Sequence, residues 1–131
     1  MFSHIRTNKE NREVVSILTR KLNLGAENVI SRIALTYSLS KGVKLNLNDI
    51  GNSGGKEYSK AVLFGENINY YIGLVAVHYD LYVTDKDIPR YLKMHIDDGL
   101  KLLNEEVAES KNIDGFEFLM DKIDTGLQEI I

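Results

Sequence analysis

Apolar residues recur every three or four positions along most of this 131-residue sequence. That spacing places them on one face of an α-helix, whereas the alternation typical of a strand is confined to the first few residues. The single proline, Pro89, falls where a helix is expected to begin. A proline is tolerated in a first turn because its missing N–H would have no partner there. The pattern therefore predicts an all-α protein.

The periodic segments divide the chain into a possible short strand at residues 2–6 and six helices. The first helix is expected between an N-cap at Thr7 or Asn8 and a terminator at Gly25. The next three are expected at residues 26–39, 56 to about 63 and 67 to about 82. The fifth helix should begin after a cap at Thr84 or Asp85, and the sixth after a cap at Asp114. Residues 43–55 are expected to form a loop. No linker or repeat interrupts the pattern, so residues 1–131 are expected to form one compact helical domain.

Several expectations about burial follow from the same spacing. The helix at residues 67–82 is apolar nearly all round, which indicates burial by the core or by a partner subunit. Arg32 falls off the apolar stripe of its helix and should point outward or toward a ligand. Asp97, Asp98, Glu105 and Glu106 are expected on a solvated helix face. In the last helix the inner face is expected to carry Phe116, Leu119, Met120, Ile123, Leu127 and Ile130.

The charge of the chain is unevenly distributed. Its 16 Lys and Arg and 19 Asp and Glu residues give a net charge of -3. Residues 1–60 carry ten basic and five acidic side chains, whereas residues 61–131 carry six basic and fourteen acidic ones. Because binding to nucleic acid depends on the local patch rather than on the sum, the basic half keeps DNA open as a partner.

Seven side chains of the basic half are candidate phosphate contacts. Arg20 and Lys21 are expected beside the turn that follows the first helix, where they also complement the helix dipole. The strand, helix, turn and second helix give the outline of a ribbon–helix–helix unit, whose paired strands can enter a DNA groove. The other candidates are Arg6, Lys9, Arg32, Lys56 and Lys60.

Catalytic and metal-binding patterns are missing from the sequence. It has no cysteine, and His4, His78 and His95 are scattered without metal-ligand spacing. The glycine-rich residues 51–55 precede Lys56, but the surrounding residues do not match a phosphate-binding Walker loop. We therefore expect no catalytic residue, no metal and no cofactor. We also see no secretory signal and no membrane helix, and we expect a cytoplasmic protein.

Three strings together resemble one known family. They are Ser-Arg-Ile-Ala-Leu at residues 31–35, Lys-Glu-Tyr-Ser-Lys-Ala-Val-Leu-Phe-Gly-Glu at residues 56–66, and Leu-Lys-Met-His-Ile-Asp-Asp-Gly-Leu at residues 92–100. In this order and spacing the sequence is similar to the DndE family, the small subunit of bacterial DNA phosphorothioation systems. The resemblance covers roughly residues 4–105 and leaves residues 110–131 as a C-terminal helical extension.

The resemblance implies a non-enzymatic, all-helical protein that forms a homo-tetramer and binds double-stranded DNA, preferably nicked, through surface lysines. It also implies a sulfurtransferase and an ATPase-like subunit as partners. Arg20 and Lys21 best match the region where the family's DNA-facing lysines are expected. Two alternatives stay open: a ribbon–helix–helix transcription regulator, which would read bases through Ser3, His4 and Arg6, and a structural partner subunit that does not contact DNA.

Overall fold

A computed structural model describes residues 2–109 and 114–130, except for the side chain of Ile130. The described residues form six α-helices, two short 3-10 helices (Leu47–Asp49 and Gly65–Asn67) and one two-stranded sheet, so the predicted helical class is confirmed. The strands are β1 (His4–Arg6) and β2 (Glu57–Ser59). The helices are α1 (Asn11–Leu22), α2 (Glu27–Ser40), α3 (Lys60–Phe64), α4 (Ile68–Tyr79), α5 (Ile88–Ala108) and α6 (Gly115–Ile130).

The small sheet changes the prediction for residues 56–63. Glu57–Ser59 is a strand rather than a helical turn, and it pairs antiparallel with β1, with Ile5 opposite Tyr58. These two side chains are buried, whereas their strand neighbours are not. β1 thus finds its partner within its own chain, and the strand–helix–helix order needs no second copy to pair the strand.

The ends of the helices agree only partly with the capping predictions. Thr7 does not cap α1, because its hydroxyl bonds to the backbone of Lys56 on the neighbouring segment. α1 ends at Asn23, which adopts the left-handed conformation with φ 52°, two residues before the expected Gly25. The Asp114 cap is confirmed, since its Oδ1 accepts the N–H of Phe116 at 2.9 Å.

The centre of the protein is the crossing of α2 and α5. An added Cβ at Gly99 would lie 1.8 Å from the carbonyl oxygen of Ala34, so the two helix backbones touch at this point. Six apolar residues of α5, spaced three or four positions apart, are all buried: Ile88, Leu92, Ile96, Leu100, Leu103 and Val107. α1, α4 and the sheet pack around this pair and complete the core.

Two helices leave apolar side chains in solvent, against the prediction. In α4 only Ile72, Val75 and Ala76 are buried, so this helix lies at the edge of the fold with Tyr70 and Val77 exposed. The predicted inner face of α6 is not buried by this chain: Phe116, Met120, Ile123 and Leu127 are exposed and Leu119 is half-buried. The side chain of Ile130 lies outside the described residues.

A buried hydrogen-bond network joins α2, α4 and α5 around His95. Ser38 Oγ donates to Asp98 Oδ2 at 2.7 Å and so accepts from His95 Nδ1 at 2.8 Å. His95 Nε2 then accepts from the Tyr79 hydroxyl at 2.6 Å, which in turn accepts the N–H of Leu45. Burial, together with the nearby His78, lowers the pKa of His95 from 6.5 to about 4. The imidazole is therefore neutral at pH 7, and its two hydrogen bonds join α5 to α2 and α4.

Gly99→Ala should destabilise the protein by about 3 kcal/mol, because the new methyl group meets helix backbone that cannot rotate away. The matched control is Gly73→Ala in α4, where an added Cβ meets nothing within 4 Å. That change should stabilise the fold by roughly 0.5–1 kcal/mol through the better helix propensity of alanine. Urea denaturation measures both values, and equal effects would contradict the close approach of α2 and α5.

The stability of the protein should fall as the pH drops from about 6.5 to 4. Over this range the unfolded chain protonates His95 and the folded chain does not, which favours unfolding by roughly 3 kcal/mol at the acid end. Above pH 6.5 His95 is neutral in both the folded and the unfolded chain, so it does not make the free energy of unfolding depend on pH. His95→Gln should flatten this part of the profile, whereas His4→Gln on the exposed strand should leave it unchanged. The free energy of unfolding, measured by urea at each pH, gives the slope.

Candidate nucleic-acid interface

A buried ion pair organises the surface where the N-terminal segment meets α5. Lys93 and Asp97 lie one turn apart, with 2.7 Å between Nζ and Oδ2 and side chains only 7% and 8% exposed. The prediction that Asp97 lies on a solvated helix face is therefore wrong. The sequence could not show this, because the groups that surround the pair come from two segments, one 85–89 residues and one 43 residues earlier in the chain.

The ion pair fastens two loops to α5. Asp97 Oδ1 accepts the N–H of Asn8 at 3.0 Å and the side-chain amide of Asn11 at 2.7 Å. Lys93 Nζ donates to Asn8 Oδ1 and to the carbonyl oxygen of Ile50, at 2.7 and 3.2 Å. The residues before α1 and the start of the glycine-rich loop are thereby held side by side.

Within this arrangement the glycine-rich loop packs closely on the N-terminal segment. The N–H of Gly55 donates to the carbonyl oxygen of Thr7 at 2.9 Å. An added Cβ at Gly55 would lie 2.2 Å from the carbonyl oxygen of Asn8, so a larger residue does not fit there. The N–H of Lys9 donates to Asn52 Oδ1 at 2.8 Å, which ties the next part of the loop to the same segment.

Four basic side chains meet around this loop, and we name them the loop cluster: Arg6, Lys9, Arg12 and Lys56. Arg12 donates to the carbonyl oxygen of Gly55 at 2.8 Å. Arg6 pairs with Glu57 at 3.0 Å, and Lys56 pairs with Glu27 at 3.6 Å. Lys9 and Arg12 belong to none of the ion pairs found among the described residues, and both are exposed. Exposed ion pairs contribute only about 0–1 kcal/mol, so a phosphate can compete for the paired members as well.

The loop cluster continues into an open cavity of about 430 Å³ beside β1. Its lining includes Arg6, Arg90 and Lys93, together with His4 and Ser53. Arg90 pairs with Asp87 at 3.2 Å, but its side chain is 62% exposed. The lining itself contains no carboxylate, although Arg6, Arg90 and Lys93 each pair with one next to it.

The other predicted phosphate contacts do not join this surface. Arg20 and Lys21 are exposed at the far end of α1, about 14–15 Å along the helix from its start. Arg32 does not point outward: it is half-buried and donates to the carbonyl oxygen of Leu63 at 2.8 Å. Lys60 begins α3, with Nζ 5.8 Å from the centre of the Phe2 ring.

The arrangement around His95 brings together a serine, a histidine and an aspartate but does not form a nucleophilic triad. The carboxylate of Asp98 bonds to Ser38 rather than to the imidazole, and Ser38 and His95 are both buried. A triad needs the histidine between an exposed nucleophile and the carboxylate.

Across residues 2–109 and 114–130 no group of three or more His, Asp or Glu side chains is placed to hold a metal ion. None of the helices in these ranges is long and apolar enough to cross a membrane.

Comparison with known proteins identifies the family. The model of the family "DNA sulphur modification protein DndE" matches residues 4–111. The chain belongs to the DndE family. Among solved structures, the fold is similar to that of DndE from Escherichia coli B7A, described as involved in DNA phosphorothioation modification, with a TM-score of 0.63 and 14% sequence identity. The match covers 79% of this chain and 98% of the E. coli chain. A comparison with curated proteins gave no match.

Membership of the DndE family associates the chain with DNA sulphur modification, and it confirms the resemblance seen in the sequence. The family match ends before α6, so this helix lies outside the part that the DndE model describes.

Two exposed basic residues of the interface were not among the sequence candidates. Arg12 could have been found, because it lies three residues after Lys9 at the start of a helix. Arg90 could not, because only the tertiary fold brings the start of α5 beside β1.

Asp97→Ala should cost about 3–5 kcal/mol of folding free energy, because it leaves the buried Lys93 ammonium without its counter-charge. The double variant Lys93→Met, Asp97→Leu removes both charges and should cost clearly less. As a control, Arg90→Ala breaks an exposed ion pair and should change stability by less than about 1 kcal/mol. Urea unfolding compares the three. If the double variant is as unstable as Asp97→Ala alone, the unpaired charge is not the main cause of the stability lost in Asp97→Ala.

Proposed function

We propose that this DndE-family chain is a non-catalytic DNA-binding subunit of a DNA phosphorothioation system. The observation that supports the proposal most is the loop cluster, where four basic side chains from two separate segments, residues 6–12 and Lys56, meet around one exposed loop. Family membership supplies the link to DNA, and the cluster supplies a surface of the right charge. A cytoplasmic setting, where a bacterial chromosome lies, goes with this role.

Binding would occur through the phosphate backbone. Lys9 and Arg12 contact phosphates directly, and Arg6, Lys56 and Arg90 exchange their exposed carboxylate partners for phosphate oxygens. Such contacts release condensed counterions, so affinity falls with salt and depends little on sequence. Few side chains of β1 could read bases, because Ile5 is buried and Arg6 would be engaged with a phosphate.

The preference for a nick and the assembly of several copies belong to the same proposal. A nicked duplex bends at lower cost, which lets basic surfaces on neighbouring copies reach phosphates on both sides of the nick. We expect a homo-tetramer that presents several loop clusters at once, and a sulfurtransferase and an ATPase-like subunit as partners that perform the chemistry. Arg20 and Lys21, at the far end of α1, would contact DNA in such an assembly by extending the surface of one copy.

Charge reversal at Lys9 and Arg12 should weaken binding to a nicked duplex of about 30 base pairs by more than tenfold. It should also reduce the slope of log K against log salt by about 0.9 for each phosphate that the variant no longer neutralises. Fluorescence anisotropy titrations at several salt concentrations measure both quantities. A parallel variant, Arg20→Glu with Lys21→Glu, tests the contact expected from the family resemblance.

The matched control is Lys86→Glu with Lys101→Glu, which changes net charge by the same amount at two exposed lysines outside the loop cluster. It should leave the salt slope unchanged. Weak binding of the unaltered protein to nicked and intact duplex alike, without a salt slope, would contradict the proposal and favour a structural subunit. Sharp preference for one base sequence would instead favour a transcription regulator.

A further inference from the structure

Two of the four basic side chains in the loop cluster are already paired with carboxylates of the same chain. Arg6 donates from Nε to Glu57 Oε1 at 3.1 Å, and its Nη2 lies 3.0 Å from the same oxygen. Lys56 Nζ lies 3.6 Å from Glu27 Oε2. The other two members of the cluster belong to no ion pair among the described residues. The loop cluster therefore has two open cations and two covered ones.

The small sheet fixes the first of these pairs. Arg6 and Glu57 lie opposite each other in the register of β1 and β2, next to the buried pair Ile5 and Tyr58. Successive side chains of a strand point to opposite faces, so the burial of Ile5 and Tyr58 leaves Arg6 and Glu57 together on the exposed face. Opposite charges placed directly across two antiparallel strands attract each other. The fold itself thus places a carboxylate against Arg6.

The second carboxylate is held by α2. Glu27 lies in the first turn of this helix, and the preceding Ala26 makes no side-chain cap. Backbone dipoles favour a carboxylate at a helix N-terminus, with or without a basic partner. Lys56 is positioned beside it by its own backbone, whose N–H donates to Thr7 Oγ1 at 3.1 Å. Glu27 therefore stays next to the loop cluster even when Lys56 is engaged elsewhere.

Both ion pairs are open to water, which makes them easy to exchange. The side chains of Arg6 and Glu57 are 61% and 46% exposed, and those of Lys56 and Glu27 are 44% and 31% exposed. Exposed ion pairs contribute little to stability, so a phosphate can replace either carboxylate. The exchange also contributes little to binding, since one charged partner replaces another and the displaced carboxylate repels the phosphate nearby.

This balance separates ligands by the number of phosphates that they carry. A single phosphate ion can contact the open side chains of Lys9 and Arg12, but the loss of translational freedom opposes its binding. A DNA strand presents a row of phosphates, and each contact adds the release of condensed counterions. Only the row of phosphates supplies enough free energy to displace both carboxylates.

We propose that Glu27 and Glu57 determine the anion specificity of the loop cluster: by covering Lys56 and Arg6 they limit its ligands to chains of phosphates. The two open cations make the first contact, and the two covered ones join when further phosphates of the same strand come within reach. The carboxylates also keep the affinity for DNA below the value that four uncovered cations would reach. This specificity rests on the DNA binding proposed above and names the residues that limit it.

Neutral variants of the two carboxylates test the proposal in anisotropy titrations with the nicked duplex. Glu57→Gln should raise the affinity about threefold, which is the size expected from freeing one exposed ion pair, and Glu27→Gln should act in the same direction. The matched control is Glu13→Gln, because Glu13 is exposed, directly follows Arg12 and belongs to no ion pair among the described residues. It removes the same charge without uncovering a cation, so its effect should be much smaller.

A double-mutant cycle shows whether each carboxylate acts by covering its partner. In an Arg6→Gln background, Glu57→Gln should change the affinity no more than Glu13→Gln does, because no cation is left to uncover. Lys56→Gln is the corresponding background for Glu27→Gln. A full gain retained in these backgrounds would overturn the proposal, since the carboxylates would then act through their charge alone. Equal gains from Glu57→Gln and the control would overturn it as well.

Inorganic phosphate tests the selection of phosphate chains. At constant ionic strength, millimolar phosphate should compete with the duplex for the double variant Glu27→Gln, Glu57→Gln but not for the unaltered protein. Equal competition in both proteins would overturn the specificity and leave DNA binding in place. If neither protein binds the duplex, the proposed function is wrong as well. Duplex binding by the double variant alone would support both the DNA surface and its carboxylate cover.

Discussion

The buried ion pair between Lys93 and Asp97 is the interaction on which the candidate interface depends. Removing two charges from water is costly, and the pair is stable only because Asn8, Asn11 and the carbonyl oxygen of Ile50 complete its hydrogen bonds. The same bonds fix the segment before α1 against the glycine-rich loop. The positions of Lys9 and Arg12 follow from that arrangement, so the exposed charges of the surface are set by a charge pair in the interior.

A second constraint is the contact of the α2 and α5 backbones at Gly99 and Ala34. It brings α2 close enough for Ser38 to bond with His95 and Asp98, and the neutral imidazole then ties in α4 through Tyr79. With one face of α4 held in this way, its remaining apolar side chains point away from the core. α6 likewise has one attached side and one exposed side. The unpaired apolar surfaces of the protein are therefore consequences of how few helices surround the central pair.

Much of the fold could be read from the spacing of apolar residues, since α2, α5 and α6 were expected close to where they lie. The failures have a common cause. Glu57–Ser59 forms a strand because β1 lies beside it, and Thr7 bonds to Lys56 instead of capping a helix because that segment is within reach. Of the candidate site, Arg6, Lys9 and Lys56 were identified and do meet around one loop, whereas Arg20, Lys21, Arg32 and Lys60 lie elsewhere.

The sequence by itself determined the helical class, the excess of basic residues in the first 60 positions and, through three short strings, the DndE family. These properties depend on local spacing, composition and motif order, which need no knowledge of distant neighbours. Only the tertiary structure decided that Asp97 is buried, that Arg90 joins the basic surface and that the apolar side of α6 faces solvent. Each of these depends on tertiary contacts between segments that are far apart in the chain, and the local pattern of residues does not specify such contacts.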